Sequence, residues 1–307
     1  MRALLVVNPQ ATATTRRGRD ILARALGSEV RVDVAQTLGR GHAIALARQA
    51  TSDKVDLVVA LGGDGTVNEV VNGLLANGVC PQVPALAVVP GGSANVFSRA
   101  LGAPHDPIEA TSAILDALRA GRSRRVGLGR ADDRWFTFNA GFGFDAEVIA
   151  RVERHRRAGR GASPGLYVRS AVGEFFLGAD RRHPRLTLHR PGDDPIDALY
   201  FAIVSNTSPW TYLGNRPVNP TPGASFDGGL DLFAMRSMHT VRVLRVAYQA
   251  LRRRPRPRGR YQLRLHDAVD LTLTAGEPVG LQVDGDYVGQ RRSVRFTAVP
   301  DALRVVA

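Results

Sequence analysis

The sequence predicts a two-domain chain, a parallel α/β domain followed by an antiparallel β-sandwich. Three observations predict it. Strand and helix patterns alternate over the first third, and such alternation builds a parallel sheet with helices on both faces. After about Gly121 the pattern changes to short strands, many alternating apolar and polar residues as in Leu263-Arg264-Leu265, the signature of an antiparallel sandwich. The 307 residues, 44% of them hydrophobic, are enough for one large domain or two modest ones.

Each element has its own warrant. Ala3–Asn8 is a short apolar run, Arg17–Leu26 has helical spacing, Val30–Ala35 alternates, and His42–Ala50 is helical. Val55–Leu61 is a continuous apolar strand followed by a helix over Val67–Ala76. Ala85–Val89 is the next strand, leading to Ala94–Leu101 and a longer helix near Ile108–Ala120. The second half carries strands at Arg125–Gly129, Trp135–Asn139, Arg185–His189, Ala198–Ser205 and Leu230–Met235. Further strands follow at Tyr261–Leu265, Val269–Thr274, Gly280–Val283, Val294–Ala298 and Leu303–Val306. Helices at Ala146–Arg156 and Thr240–Arg253 interrupt them, and no internal repeat is present. The expected domains are residues 1–123 and 124–298.

Composition narrows the function. The net charge is +13, and Lys54 is the only lysine, which excludes a Gly-Lys-Ser/Thr phosphate loop. Such a charge suits nucleotides, nucleic acid or an acidic membrane, although an arginine-rich genome explains it equally well. With 6% aromatic residues there is no stacking platform, so nucleic acid is not expected. Arginines cluster at Arg151–Arg160 and Arg252–Arg260. Either alone reads as solvated surface; together they could meet anionic lipid, at about 1 kcal/mol per arginine near the surface. Cys80 is the only cysteine, so an internal disulfide or cysteine-rich zinc site is impossible. His42, His155, His183 and His189 lack ligand spacing. The absence of a membrane-length apolar run or a signal sequence leads to the expectation of a cytoplasmic protein, peripherally membrane-associated at most. Oligomeric state is undetermined, and a homodimer stays open.

Two glycine loops carry the chemistry. The strand Val55–Leu61 delivers Gly62-Gly63-Asp64-Gly65, with Thr66 at an expected helix N-cap and Glu69 completing a capping box. Glycines let a backbone approach a ligand closely, and a helix N-terminus offers free N–H groups to phosphate. A carboxylate repels phosphate, so Asp64 implies an intervening divalent cation, water or hydroxyl. Alone, the loop reads equally well as a tight turn. The second loop, Pro90-Gly91-Gly92-Ser93-Ala94-Asn95, repeats the design with Ser93 as expected N-cap. Both loops, with Asn8-Pro9, fall at the carboxyl edge of one sheet, where open α/β sheets bind ligands.

These motifs resemble the diacylglycerol kinase catalytic domain family, which includes bacterial lipid kinases and sphingosine kinases. Val7-Asn8-Pro9 is similar to its first nucleotide loop and Gly62–Thr66 to its signature. Phe138–Asp145 resembles the opening of its second domain, Phe226–Asp231 its metal segment, and Val283–Asp286 the place of its catalytic acid. The resemblance spans almost the whole chain; Gly-Gly-Asp-Gly alone is weaker, since NAD kinases share it. It implies a Rossmann-like first domain of the NAD kinase/diacylglycerol kinase type, a lipid-binding sandwich and a cleft between them, with residues 299–307 returning to the first domain. It also implies an ATP-dependent, magnesium-using enzyme of phospholipid biosynthesis that phosphorylates a membrane lipid hydroxyl, diacylglycerol first.

By the same resemblance, ATP would contact Asn8, Pro9, Thr37, Gly62, Gly63, Asp64, Gly65, Thr66, Asn68, Glu69, Gly92 and Ser93. Thr37 reads almost as well as a strand-end threonine. Asp64 would orient the phosphates through Mg²⁺ or water. Asp227, with backbone oxygens of Ala224 and Gly229, would hold metal, and Asp231 would join the same carboxylate network. Asp286 would be the general base; an ordinary hairpin turn at Asp284-Gly285 is compatible with that. Three departures stand out: aspartate rather than glutamate at 286, Val96 where the family often has aspartate, and Gln10-Ala11-Thr12-Ala13-Thr14 in place of Ser-Gly after Asn8-Pro9. Trp210, Tyr212, Phe142 and Phe175 are candidate lipid-pocket residues. The alternatives are an NAD kinase-like enzyme and a non-catalytic nucleotide or lipid sensor, which the departures motivate.

Overall fold

Three apolar runs and one alternating segment build the first sheet: β1 (Arg2–Val7), β3 (Leu57–Gly62) and β4 (Ala85–Pro90), with β2 (Arg31–Gln36) the alternating one. They pair in parallel in the order β2-β1-β3-β4. Every residue of β3 and β4 is buried, because helices cover both faces; an unbroken apolar sequence is the consequence. Leu5, Val59 and Ala87 face α1 (Arg16–Gly27) and α5 (Pro107–Arg119), packing with Leu22, Leu26, Ile114 and Ala117. The opposite face is covered by α2 (His42–Ser52) and α3 (Asp64–Leu74). These two helices pack so closely that a Cβ at Gly73 would lie 2.4 Å from the Ile44 carbonyl oxygen. The helix α4 (Val96–Ala100) is a single short turn. Asp106 starts α5 by accepting from the N–H groups of Ile108 and Glu109 at 2.8 and 3.1 Å, with Pro107 in the first turn.

The structure is a computed structural model that describes residues 1–11, 16–157, 164–178, 180–255 and 258–307. These form two units, Met1–Gly127 with Asp301–Ala307, and Leu128–Pro300. Within the first unit the chain end returns to the sheet: Val305 pairs with Leu86, and the Val306 N–H donates to the Leu86 carbonyl at 2.9 Å.

The second unit is antiparallel. From β5 (Arg124–Ala131) the chain continues through β6 (Arg134–Phe136) and β7 (Asn139–Gly143) to α6 (Phe144–Arg157), α7 (Pro164–Gly173) and a π-helical turn over Glu174–Gly178. Then follow β8 (Leu186–His189), β9 (Ile196–Leu199), β10 (Phe201–Ser205), β11 (Thr211–Leu213), β12 (Arg216–Val218) and β13 (Leu230–Met235). The helix α8 (Thr240–Ala250), β14 (Gln262–Ala268), β15 (Asp270–Val283) and β16 (Asp286–Val305) complete the order. The strands β14-β13-β10-β7-β15 run in that order, β15 also pairs with β16, and β8 and β9 extend from the first half of β15. Their inward residues, among them Phe136, Phe142, Leu232, Leu273 and Phe296, make one core.

Several elements differ from their expected form. Val269–Thr274 and Gly280–Val283 are one strand, β15, bent at a register shift between Thr274 and Val279; a bulge lets one strand turn a corner of the sandwich. Its partner β16 likewise joins the two last expected strands. Trp135–Asn139 divides into β6 and β7, and Ala198–Ser205 divides at Tyr200, after Ala198 takes a φ of 64°. The helix α7 and the β11–β12 hairpin had no counterpart in the sequence reading. Residues 12–14 of the first loop and parts of both arginine clusters, 158–160 and 256–257, lie outside the described residues.

Candidate functional site

The carboxyl edge of the first sheet gathers the loops. Val7 is level with Gln36 on β2 and Leu61 on β3, and Gly62 is level with Pro90 on β4. Thr37, Asn8, Gly63 and Gly91 therefore leave the strands side by side. The strand order reverses direction between β1 and β3, the switch point at which such sheets bind ligands. Asn8 stands there: its N–H donates to the Leu61 carbonyl, its side-chain amide donates to Thr66 Oγ1, and its Oδ1 accepts from the Gln10 N–H, each at 3.0 Å. Thr37 continues the ladder, its N–H donating to the Val7 carbonyl at 2.8 Å, and Pro9 is exposed.

The glycine loops touch one another. A Cβ at Gly92 would lie 2.6 Å from the Gly63 Cα and 3.1 Å from Asn95 Oδ1. Only glycine lets two backbones meet this closely. Asn95, at φ 48°, holds the second loop by accepting from the Gly92 N–H at 2.9 Å and donating to its carbonyl at 2.8 Å.

Two capping expectations are corrected here. The helix α3 starts at Asp64 with Gly63 as N-cap, so Thr66 lies within its first turn, buried, its hydroxyl meeting Asn8. Glu69 closes no capping box; its carboxylate accepts from Gly41 and Ala43 N–H groups at 2.7 and 3.2 Å and so caps the start of α2. The residue before α4 is Asn95 rather than Ser93, which is exposed in the loop. Asp64 Oδ1 accepts from the Phe97 N–H, in the first turn of α4, at 3.2 Å, and thus ties the first loop to the second. Gly65 lies in the first turn of α3, while Asn68 is fully buried on that helix.

The other candidates belong to the second unit. Asp286 pairs with Val283 across a two-residue turn, and its carboxylate lies 3.7 Å from the Arg134 guanidinium. Asp227 is exposed in the turn before β13, where Ala224 and Gly229 also lie. A carboxylate and main-chain carbonyls are hard oxygen donors, the kind that a hydrated Mg²⁺ takes. Among the described residues no group of three or more His, Cys, Asp or Glu is placed to hold a metal. Asp231 is buried and turned to β14, accepting from His266 Nδ1 at 2.7 Å and the Asp267 N–H at 3.2 Å. Phe142 is wholly buried in the core and is not a pocket residue; Phe175 packs edge-on against Phe144 and Phe176.

A buried polar cluster escaped the sequence reading. The Gln282 amide donates to Asn139 Oδ1 at 2.9 Å and to Asp145 Oδ2 at 2.8 Å. Burial pushes the Asp145 carboxyl up from 3.8 to about 6, and the Gln282 hydrogen bond opposes that rise. A signal was present: one acid in the apolar, glycine-rich run Phe138–Ala146. The folded state holds this proton more tightly than the unfolded chain, so stability falls as pH rises from about 4 to about 6 and changes little above. Asp145→Asn should remove that fall, a difference of about 3 kcal/mol at pH 8. Trp135 and Trp210, the only two tryptophans, both lie in the second unit, so urea unfolding followed by their fluorescence at each pH reads it. A fall of equal size in the variant would refute the assignment.

Comparison with known proteins places these features. Residues 2–131 match the diacylglycerol kinase catalytic domain model. A diacylglycerol kinase of Bacillus subtilis is 27% identical over 266 residues, covering 81% of this chain and 77% of the relative. The protein named "Probable lipid kinase YegS-like" of Chromohalobacter salexigens is 41% identical over 108 residues, 35% of this chain and only 33% of that protein's length. The crystal structure of a diacylglycerol kinase from Bacillus anthracis superposes with a TM-score of 0.73 at 20% identity, covering 99% of this chain and 96% of that one. A second structure from the same organism gives 0.78 at 22% identity. The family model thus covers the first unit's glycine loops, and the structural likeness carries the fold of the whole chain. Among the described residues, no helix is long and apolar enough to cross a membrane.

Proposed function

We propose that this chain is an ATP-dependent lipid kinase that phosphorylates the hydroxyl of a membrane lipid, with diacylglycerol, giving phosphatidic acid, as the first candidate. The observation that carries this reading is the contact between the glycine loops: Gly63 and Gly92 meet backbone to backbone beside Asn8 at the switch point. That arrangement offers main-chain N–H groups and a helix start to a triphosphate. Asn8, Pro9, Thr37, Gly62, Gly65, Thr66 and Ser93 belong to the same nucleotide site, with Asn68 and Glu69 holding α3 and α2 around it. Asp227, with the carbonyls of Ala224 and Gly229, would hold Mg²⁺, whose charge offsets that of the phosphates. In the transfer, the bond from the γ-phosphorus to the bridging oxygen breaks as the lipid oxygen bonds to phosphorus. Asp286 accepts the hydroxyl proton, and Arg134 steadies its carboxylate. The protein works at the membrane surface, where its substrate resides.

Incubation with radiolabelled ATP and Mg²⁺, in the presence of extracted lipids, diacylglycerol micelles or NAD, tests the reading. Chromatography should show label in lipid and none in NAD. Label in NAD alone would make the chain a nucleotide kinase, and label in neither would end the kinase reading. Gly92→Ala should force the loops apart, weakening ATP binding by about tenfold or more and stability by about 1–3 kcal/mol; titration with ATP and thermal melting measure both. One observation favours a second reading, a non-catalytic nucleotide or lipid binder: the Asp64 carboxylate already has a structural partner in the Phe97 N–H.

A further inference from the structure

The helix α8 is apolar on two opposite sides. Val243 and Val246 pack onto Ile203, Phe233 and Met235 of the second unit. Val241, Leu244 and Tyr248, spaced three and four residues apart on the other side, are 67%, 64% and 67% exposed. A surface helix ordinarily keeps its outer side polar. The surrounding sequence is strongly basic: of the thirty residues Arg236–Leu265, ten are arginine and none is acidic. Arg242 and Arg260 are held over the Tyr261 ring, at 3.5 and 4.7 Å from its centroid. Arg245, Arg252, Arg253 and Arg254 are exposed, and among the described residues they make no ion pair.

We infer that α8 lies flat on an anionic phospholipid bilayer, with Val241, Leu244 and Tyr248 entering the acyl boundary and the arginines pairing with headgroup phosphates. An apolar stripe bordered by unneutralised arginine is the composition of an interfacial helix, and the guanidinium fork matches phosphate geometry. Charge complementarity selects this occupant. A second copy docked through the same stripe by two-fold symmetry would bring two arginine tracts together. A nucleic acid would set its phosphates against three exposed apolar side chains. The inference deepens the lipid-kinase reading, since it supplies the surface on which a lipid substrate is met, yet the docking itself requires no ATP chemistry.

The test uses the full chain with Cys80→Ser and Leu244→Cys, the new thiol carrying an environment-sensitive dye. Vesicles of phosphatidylglycerol mixed with phosphatidylcholine should shift the emission to the blue, and added salt should weaken the effect; pure phosphatidylcholine should do far less. Changing Arg252, Arg253 and Arg254 together to Gln should weaken partitioning by roughly a hundredfold. In the unlabelled protein, Leu244→Ser with Tyr248→Ser should weaken vesicle co-sedimentation by about tenfold or more. Unchanged tryptophan emission confirms that both variants fold. No shift with phosphatidylglycerol, equal partitioning to both vesicle types, an equal shift with duplex DNA, or a shift on self-association without lipid would each overturn the inference. Transfer to diacylglycerol in detergent micelles separates the two readings. If only the docking is wrong, micellar activity persists without vesicle binding; if only the kinase reading is wrong, vesicle binding persists without transfer.

Discussion

Replacing Asp284 with alanine should lower the stability of the second unit by about 3–5 kcal/mol. Asp284 and Gly285 form the turn between β15 and β16, at φ 48° and 80°, the doubly positive geometry of a type I′ hairpin. Turn aspartates usually face water, but this one is 4% exposed. One carboxylate oxygen accepts from the Thr137 N–H and hydroxyl at 2.7 and 2.8 Å; the other accepts from the Phe138 and Asn139 N–H groups at 3.0 and 3.1 Å. Its own N–H donates to the Asn139 carbonyl at 2.8 Å. Truncation would leave these donors buried and without that acceptor, since Thr137 and Asn139 are 0% and 2% exposed. Asn at 284 keeps the shape and tolerates the backbone, but it turns an NH₂ group toward donors, so its loss should be intermediate. Urea midpoints from tryptophan fluorescence order the three proteins. A loss below about 1 kcal/mol for Asp284→Ala would show that the hairpin does not depend on this anchor.

The same residue shows where sequence reading stops. Asp-Gly between two apolar runs announces a hairpin, and the hairpin is there. Nothing in that pattern says that the carboxylate points inward, because its partners lie about 147 positions away, at Thr137. The first sheet was legible for the opposite reason: β3 and β4 are buried on both faces, so their sequences are apolar without interruption. The glycine loops were legible because close backbone contact demands glycine. The capping-box error has a tertiary cause. Thr66 and Glu69 have the spacing of a local capping box, yet tertiary neighbours, Asn8 and the start of α2, take up both side chains. Likewise β15 reads as two strands because a bulge breaks its alternation, while the chain continues unbroken through it.

Asp64→Asn should leave the first unit folded and slow phosphoryl transfer by roughly a thousandfold. The carboxylate has two roles that substitution can separate. As a cap it accepts from the Phe97 N–H at 3.2 Å, a role worth about 0.5–2 kcal/mol that the carbonyl oxygen of asparagine can retain. As a charge beside the two glycine loops, in its proposed role, it would orient the triphosphate through a cation or water, and asparagine cannot supply that charge. Alanine removes both roles. Thermal melting should therefore rank the wild type and Asp64→Asn together, with Asp64→Ala below, whereas lipid phosphorylation should drop sharply in both variants. ATP titration completes the separation, because a lost cap loosens the loops and weakens nucleotide binding even where no chemistry follows. If Asp64→Asn keeps transfer within about tenfold of the wild type while Asp64→Ala melts early, the carboxylate serves only to fasten α4. The answer to why a lone acid sits among three glycines would then be architectural.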